Sequence, residues 1–241
     1  MKNILITGVS KGLGLEIIKI LLLSEYCVYG ISRSKSNEIN ELLSLYPQRL
    51  NWLSFDLSQT DSIKGKIFNE YIPIDIPIHG FINNAAIAYD DIVTNLNFKA
   101  LELMYRVNVF SPMLMTKFVI RNMLYNRVCG SIVHVSSISV HTGYKGLSMY
   151  ASTKGAIEAF SKNVAREWGP RKIRSNCVVA GFMETSMNSN LSEDQKNRIY
   201  NRTSLKQATS AVSVAETIEF LISEGSQSIT GQNIHVDSGT I

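Results

Sequence analysis

The chain has 241 residues, 45% of them hydrophobic and 18% charged, which suits one well-buried α/β domain and is short for two. Its net charge of +4 fits an anionic cofactor or an acidic partner and gives no reason to expect nucleic acid. No apolar run approaches a membrane span, the opening MKNILITG is too brief for a signal-peptide core, and Cys27, Cys129 and Cys177 lack a CxxC pairing. A cytoplasmic enzyme with reduced thiols and no metal centre is the expectation.

Residues 3–7 (NILIT) read as a short apolar strand that runs into Gly8-Val9-Ser10-Lys11-Gly12-Leu13-Gly14. An amphipathic helix follows, with Leu15, Ile17, Ile18, Leu21 and Leu22 apolar. Strand, glycine turn and helix form the context in which a glycine motif is meaningful. Glycines let the backbone approach a pyrophosphate, and the helix start offers free N–H groups and a positive dipole end. The plainer reading, a tight turn and nothing more, is weaker at a first strand–helix junction. The next strand, 26–32, ends at Ser32-Arg33. An acidic residue at this place grips a ribose 2′-hydroxyl, whereas arginine accommodates a 2′-phosphate. With Lys11 on the glycine turn and no carboxylate nearby, the pair favours NADP(H).

Residues 37–46 read as helix, 50–55 as a strand leading to Asp56-Leu57, and 60–70 as another helix. A strand then ends at Asn83-Asn84-Ala85-Ala86, and 98–126 carry a long helical pattern with Pro112 as a kink. Asn108 within that helix is either a satisfied core polar group or part of a site; alone it favours the former. The stretch Ser131–Lys154 begins as a β-branched strand ending in Ser136-Ser137 and finishes at the start of a helix. There Tyr150 and Lys154 stand four apart and share one face. A phenol with a pKa of about 10 is a poor acid–base group near neutrality, and an ammonium one turn away favours the phenolate. A serine hydroxyl can hold an oxygen on which charge develops. With 10 tyrosines in the chain the YxxxK spacing alone is weak, and the case rests on its company. That helix runs to about Trp168; a strand at 173–179 follows, leading to Ala180-Gly181 and on to Thr185. Residues 186–210 are polar and expected to cover a substrate, and a helix near 212–223 and a strand at 233–236 close the chain. Strands and helices alternate without linker or repeat. The expected fold is therefore a Rossmann-type, doubly wound parallel sheet with helices on both faces, one domain over 1–241.

Taken together, these residues resemble the short-chain dehydrogenases/reductases and, within them, the 3-oxoacyl-(acyl-carrier-protein) reductases. TGVSKGLG at 7–14 is similar to the family's TGxxxGxG, NNAA at 83–86 to NNAG, and ITGQNIHVDSG at 229–239 to ITGxxxxVDGG. Asn108, Ser137, Tyr150 and Lys154 fall on the family's tetrad, with the usual 13-residue step from Ser137 to Tyr150. The resemblance implies that Tyr150 donates a proton to the substrate oxygen, Ser137 polarises that carbonyl, and Asn108 holds a water in a proton relay. It implies that Lys154 lowers the tyrosine pKa and holds the nicotinamide ribose. The cofactor set it implies comprises Gly8, Ser10, Lys11, Gly12, Leu13 and Gly14; Ser32 and Arg33; Asp56 and Leu57 near adenine; and Asn83 and Ala85 near the adjoining ribose. Gly181 and Thr185 at the nicotinamide, with Tyr150 and Lys154, complete it. A homotetramer, acyl carrier protein as partner, a place in fatty acid biosynthesis, and basic residues including Arg171 around the active-site mouth are further implications. Ala86, Ala180 and Ser238 depart from the pattern without removing a reacting group. The runner-up is a reductase of a sugar or other secondary-metabolite ketone; a rival of another class is a non-catalytic NADPH-binding regulator on the same fold.

Overall fold

In a computed structural model, which describes residues 1–184 and 192–241, seven strands join one sheet. They are β1 (Asn3–Thr7), β2 (Cys27–Ser32), β3 (Leu50–Ser54), β4 (Gly80–Asn83), β5 (Ser131–Ser137), β6 (Arg174–Ala180) and β7 (Asn233–Val236). All neighbours pair in parallel, in the order β3-β2-β1-β4-β5-β6-β7. The chain moves outward from β1 to β3, then returns to the other side of β1 with β4. The strand order thus reverses between β1 and β4, which opens a crevice at their carboxyl ends.

Parallel strands are covered on both faces, and side-chain alternation divides the core accordingly. Ile4, Ile6, Val133 and Val135 face one layer with α1 (Gly12–Leu23) and α8 (Ala211–Ile222); Leu5, Phe81 and Ile132 face the other, with α4 (Ser111–Tyr125). The remaining helices are α2 (Asn37–Leu45), α3 (Phe98–Tyr105), α5 (Ser139–Thr142), α6 (Ser148–Trp168) and α7 (Glu193–Tyr200).

The single helix expected over 98–126 is three segments. Between α3 and α4 lies a π-type turn, Arg106–Phe110, in which the Ser111 N–H bonds to the carbonyl of Arg106 five residues back. Pro112, in the first turn of α4, has no N–H for the carbonyl of Asn108, so the irregularity falls just before the proline. The segment expected as helix over 60–70 is a 3₁₀ turn, Thr60–Ser62, followed by a π-type helix, Lys64–Tyr71. The loop after β5 contains α5, a single turn ended by Gly143 in the left-handed conformation. Among the described residues no helix is long and apolar enough to cross a membrane.

Candidate active site

The glycine turn between β1 and α1 is built to exclude side chains. Gly8 and Gly12 have φ of +77° and +55°, a region that favours glycine. A Cβ on Gly14 would lie 2.0 Å from the Gly8 carbonyl oxygen, and one on Gly8 would lie 2.7 Å from Ala85 Cα. The turn rests on the end of β4: Asn84 Nδ2 donates to the carbonyls of Thr7 (3.1 Å) and Gly8 (3.0 Å). Thr7 Oγ1 in return accepts from the Asn84 and Ala85 N–H groups. At the head of α1 Lys11 makes no side-chain cap, and the first turn carries no acid. The orphan N–H groups there remain for an anionic ligand. Leu13 turns its side chain into the core, leaving its backbone to the turn. These features fit a dinucleotide pyrophosphate.

Next to the turn, Lys11 and Arg33 are exposed, and among the described residues no carboxylate pairs with either. Ser32 is buried: its hydroxyl accepts from Trp52 Nε1 (2.9 Å) and donates to the Ser34 carbonyl (2.9 Å). It ties β2 to β3 and so fixes where Arg33 emerges. A cavity of about 400 Å³ lies beside Arg33 and Asp56, with Gln59, Ser62 and Lys66 in its wall. Asp56 Oδ1 accepts from the Ser58 N–H at 2.9 Å, while Leu57 is buried. Gly181 packs so closely that a Cβ would lie 2.2 Å from Thr209 Oγ1. Thr185 and the first part of the expected substrate cover, 186–191, lie outside the described residues.

The expected reacting groups lie at the carboxyl end of β5 and on α6, which packs against that strand. Ser137 closes that strand, and its Oγ accepts from the Ser139 N–H at 3.2 Å. On α6, Lys154 is 3% exposed, donates to the Val135 carbonyl at 2.8 Å, and sits 5.7 Å from the Tyr150 ring centre. Burial pulls the Lys154 pKa down to about 8. Tyr150 moves the opposite way from the sequence expectation: burial first, then the charge of Asp90, pushes its phenol above the ordinary value. Both causes disfavour the phenolate, so Tyr150 holds its proton through neutral pH. The sequence reading missed Asp90, which no spacing rule marks and which nears Tyr150 only through the fold.

The structure shows Asn108 as a satisfied core polar group. Its amide is fully used inside the core, donating to the Ile87 carbonyl (2.8 Å) and Thr153 Oγ1 (3.1 Å) and accepting from the Ile87 N–H (2.9 Å). Thr153 Oγ1 then donates to the Tyr150 carbonyl at 2.8 Å, so Asn108 bolts the loop after β4 to the helix of Tyr150. A further turn along α6, Glu158 accepts from Ser136 Oγ, Asn233 Nδ2 and His141 Nε2. Its i+4 spacing from Lys154 was a usable signal that the sequence reading passed over.

Arg171 corrects another expectation. It sits in the turn Gly169–Arg171 just before β6, and Arg127 lies just before β5; both are at the amino edge of the sheet, opposite the reacting groups. Strand β5 has seven residues and so separates the two edges by about 23 Å. Neither arginine rims the mouth of its own chain's site. Of the three departures, Ser238 has the clearest cost: its φ of +57° is a backbone state that glycine occupies without penalty.

Comparison with known proteins agrees with this geometry. Residues 8–240 match the family described as "Enoyl-(Acyl carrier protein) reductase". A 3-oxoacyl-[acyl-carrier-protein] reductase, FabG, of Buchnera aphidicola subsp. Schizaphis graminum is 33% identical, over 99% of this chain and 96% of its own. Carbonyl reductase [NADPH] 2 of Sus scrofa is 30% identical, over 98% of this chain and 94% of its own. Among solved structures, a tyrosine-to-phenylalanine variant of ElxO with NADPH bound superposes with a TM-score of 0.87 at 26% identity, covering 99% of this chain and 98% of its own. On the match over residues 8–240 and the identity to these relatives along nearly the whole chain, the chain belongs to the short-chain dehydrogenase/reductase family.

Proposed function

We propose that this chain, one cofactor-binding domain over 1–241, uses NADPH to reduce a ketone to a secondary alcohol, and that its substrate is a 3-oxoacyl group on acyl carrier protein. The observation that supports the reading is Lys154 of α6, tied to the Val135 carbonyl two residues before Ser137 and 5.7 Å from the Tyr150 ring centre, on a sheet whose first strand ends in an uncapped glycine turn. When bound, the nicotinamide supplies a hydride. Ser137, its oxygen held by the Ser139 N–H, polarises the carbonyl. Tyr150, kept protonated by burial, gives its proton to the developing alkoxide. Lys154, buried and poised near pH 8, steadies the phenolate left behind and reaches the nicotinamide ribose. Asn108 lends a proton relay its backbone carbonyl, since its side chain is spent on Ile87 and Thr153.

Arg33 and Lys11, unpaired among the described residues, suit a 2′-phosphate, which supports NADPH over NADH. The pig and Buchnera relatives divide over substrate, and the higher identity to the Buchnera reductase supports the carrier-linked one. Because Arg127 and Arg171 lie about 23 Å from their own site, docking of an acidic carrier on them requires a neighbouring subunit's mouth to adjoin. The carrier reading and a homotetramer therefore stand together.

The test is steady-state reduction of acetoacetyl-carrier protein by NADPH, with Arg33→Asp, Arg171→Glu and a salt series. NADPH should exceed NADH in kcat/KM and lose that lead in Arg33→Asp; salt and Arg171→Glu should each raise KM for the carrier. The pig relative favours a second reading, a reductase of free sugar or secondary-metabolite ketones. Turnover of such a ketone, with none of the carrier-linked substrate, would put it in first place.

A further inference from the structure

At the carboxyl end of β4, the register sets Asn83 directly opposite His134 of β5. Asn83 Nδ2 lies 3.3 Å from His134 Nδ1. An amide nitrogen only donates, so Nδ1 is the acceptor and the neutral ring carries its proton on Nε2. Asn83 is itself buried, 4% exposed, and the other end of its amide is left without a partner among the described residues. Among the described residues no donor meets Asn83 Oδ1, and it is not one of the sealed unpartnered side-chain atoms, which are Ser111 Oγ, Thr116 Oγ1, His134 Nε2 and Ser139 Oγ. The neighbouring residue, Asn84, is the one that holds the glycine turn through Gly8.

We propose that His134 is a positioning residue for the cofactor: by accepting from Asn83 Nδ2 it fixes that amide with its carbonyl oxygen facing the crevice, ready to accept from a ribose hydroxyl. The proposal rests on the reading that Asn83 meets the cofactor ribose. His134 is fully buried, with Phe81 and Phe160 edge-on to its ring at 6.3 and 6.0 Å. Burial, and secondarily the charge of Lys154, holds its pKa down at about 3, so Nδ1 stays an acceptor across the working range. Its Nε2–H is unpartnered, a cost that a leucine of similar volume would not carry. Among the described residues its one hydrogen bond is the contact with Asn83. The ring packs in the core, and the one polar contact it makes there is with Asn83.

The experiment measures NADPH dissociation constants for the unmodified protein, His134→Leu, His134→Asn, Asn83→Ala and the Asn83→Ala/His134→Leu double variant. One neutral hydrogen bond is at stake, so His134→Leu should weaken NADPH roughly two- to tenfold. Its kcat at saturating NADPH should be unchanged and its Tm equal or higher. His134→Asn, whose carbonyl can also accept, should restore affinity, and the double variant should bind no more weakly than Asn83→Ala. Unaltered affinity in His134→Leu, or a loss that multiplies in full with that of Asn83→Ala, overturns the role of His134 alone. If Asn83→Ala itself binds NADPH normally, the ribose reading of Asn83 has failed first. Nitrogen-15 NMR of the unmodified protein gives an answer independent of variant folding: the Nε2–H tautomer supports the proposal, and the Nδ1–H tautomer contradicts it.

Discussion

The turn of residues 8–14 and the face of α6 meet the same crevice and are made by opposite means. The turn is held by backbone and packing: glycines in left-handed conformation, an amide from Asn84, and space too small for a Cβ. The α6 face places Tyr150, Lys154 and Glu158 on successive turns and buries the lysine and the glutamate against β5. One region is intolerant of shape; the other is intolerant of uncompensated charge. Substitutions should therefore act with opposite sign in the two places.

The largest expected effect on stability is in the turn. Gly14→Ala would bring a methyl group into the Gly8 carbonyl, where only backbone can yield. It should cost about 1–3 kcal/mol or more and abolish NADPH binding, read by thermal unfolding and cofactor titration. A folded Gly14→Ala protein that binds NADPH normally would break the comparison on this side.

Lys154→Met should do the reverse. The folded pKa of Lys154, about 8, lies below its ordinary 10.5, so between these values the unfolded chain binds more protons and stability rises with pH. Below pH 8 the buried ammonium is a standing cost. Lys154→Met should thus raise stability of the cofactor-free protein at pH 7 by about 1–3 kcal/mol, with the gain fading toward pH 10, while turnover is lost. A destabilised Lys154→Met protein at pH 7 would show the lysine to be a net contributor to the fold. The smallest effect is expected at the edge of the site: Ser238→Gly relieves a positive φ and should add about 0.5–1 kcal/mol with activity unchanged.

The same contrast governs what could be read from the chain. The glycine turn was legible because its requirements are local, and the pairing of Tyr150 with Lys154 because helical spacing is fixed. The end of β5 at Ser137 followed from its β-branched run. Asp90, the Asn84 clamp and the His134–Asn83 pair were not legible, since each depends on which strands become neighbours. The direction of the Tyr150 shift was misjudged because an ammonium four residues away is visible in sequence and desolvation is not. Pro112 marked an irregular helix, but its form, a π-type turn placed just before the proline, follows from bonding that sequence leaves open. Arg171 was placed at the wrong edge by resemblance, although its position ahead of β6 already assigns it to the amino side.

The central claim is that Tyr150 is the proton donor in an NADPH-dependent carbonyl reduction. Its most direct test is Tyr150→Phe, assayed for NADPH affinity and for kcat on acetoacetyl-carrier protein in parallel. The phenol's hydroxyl is the only group removed, so folding and NADPH binding should persist while kcat falls about 10²–10⁴-fold. A Tyr150→Phe protein that turns over at near the unmodified rate would contradict the account.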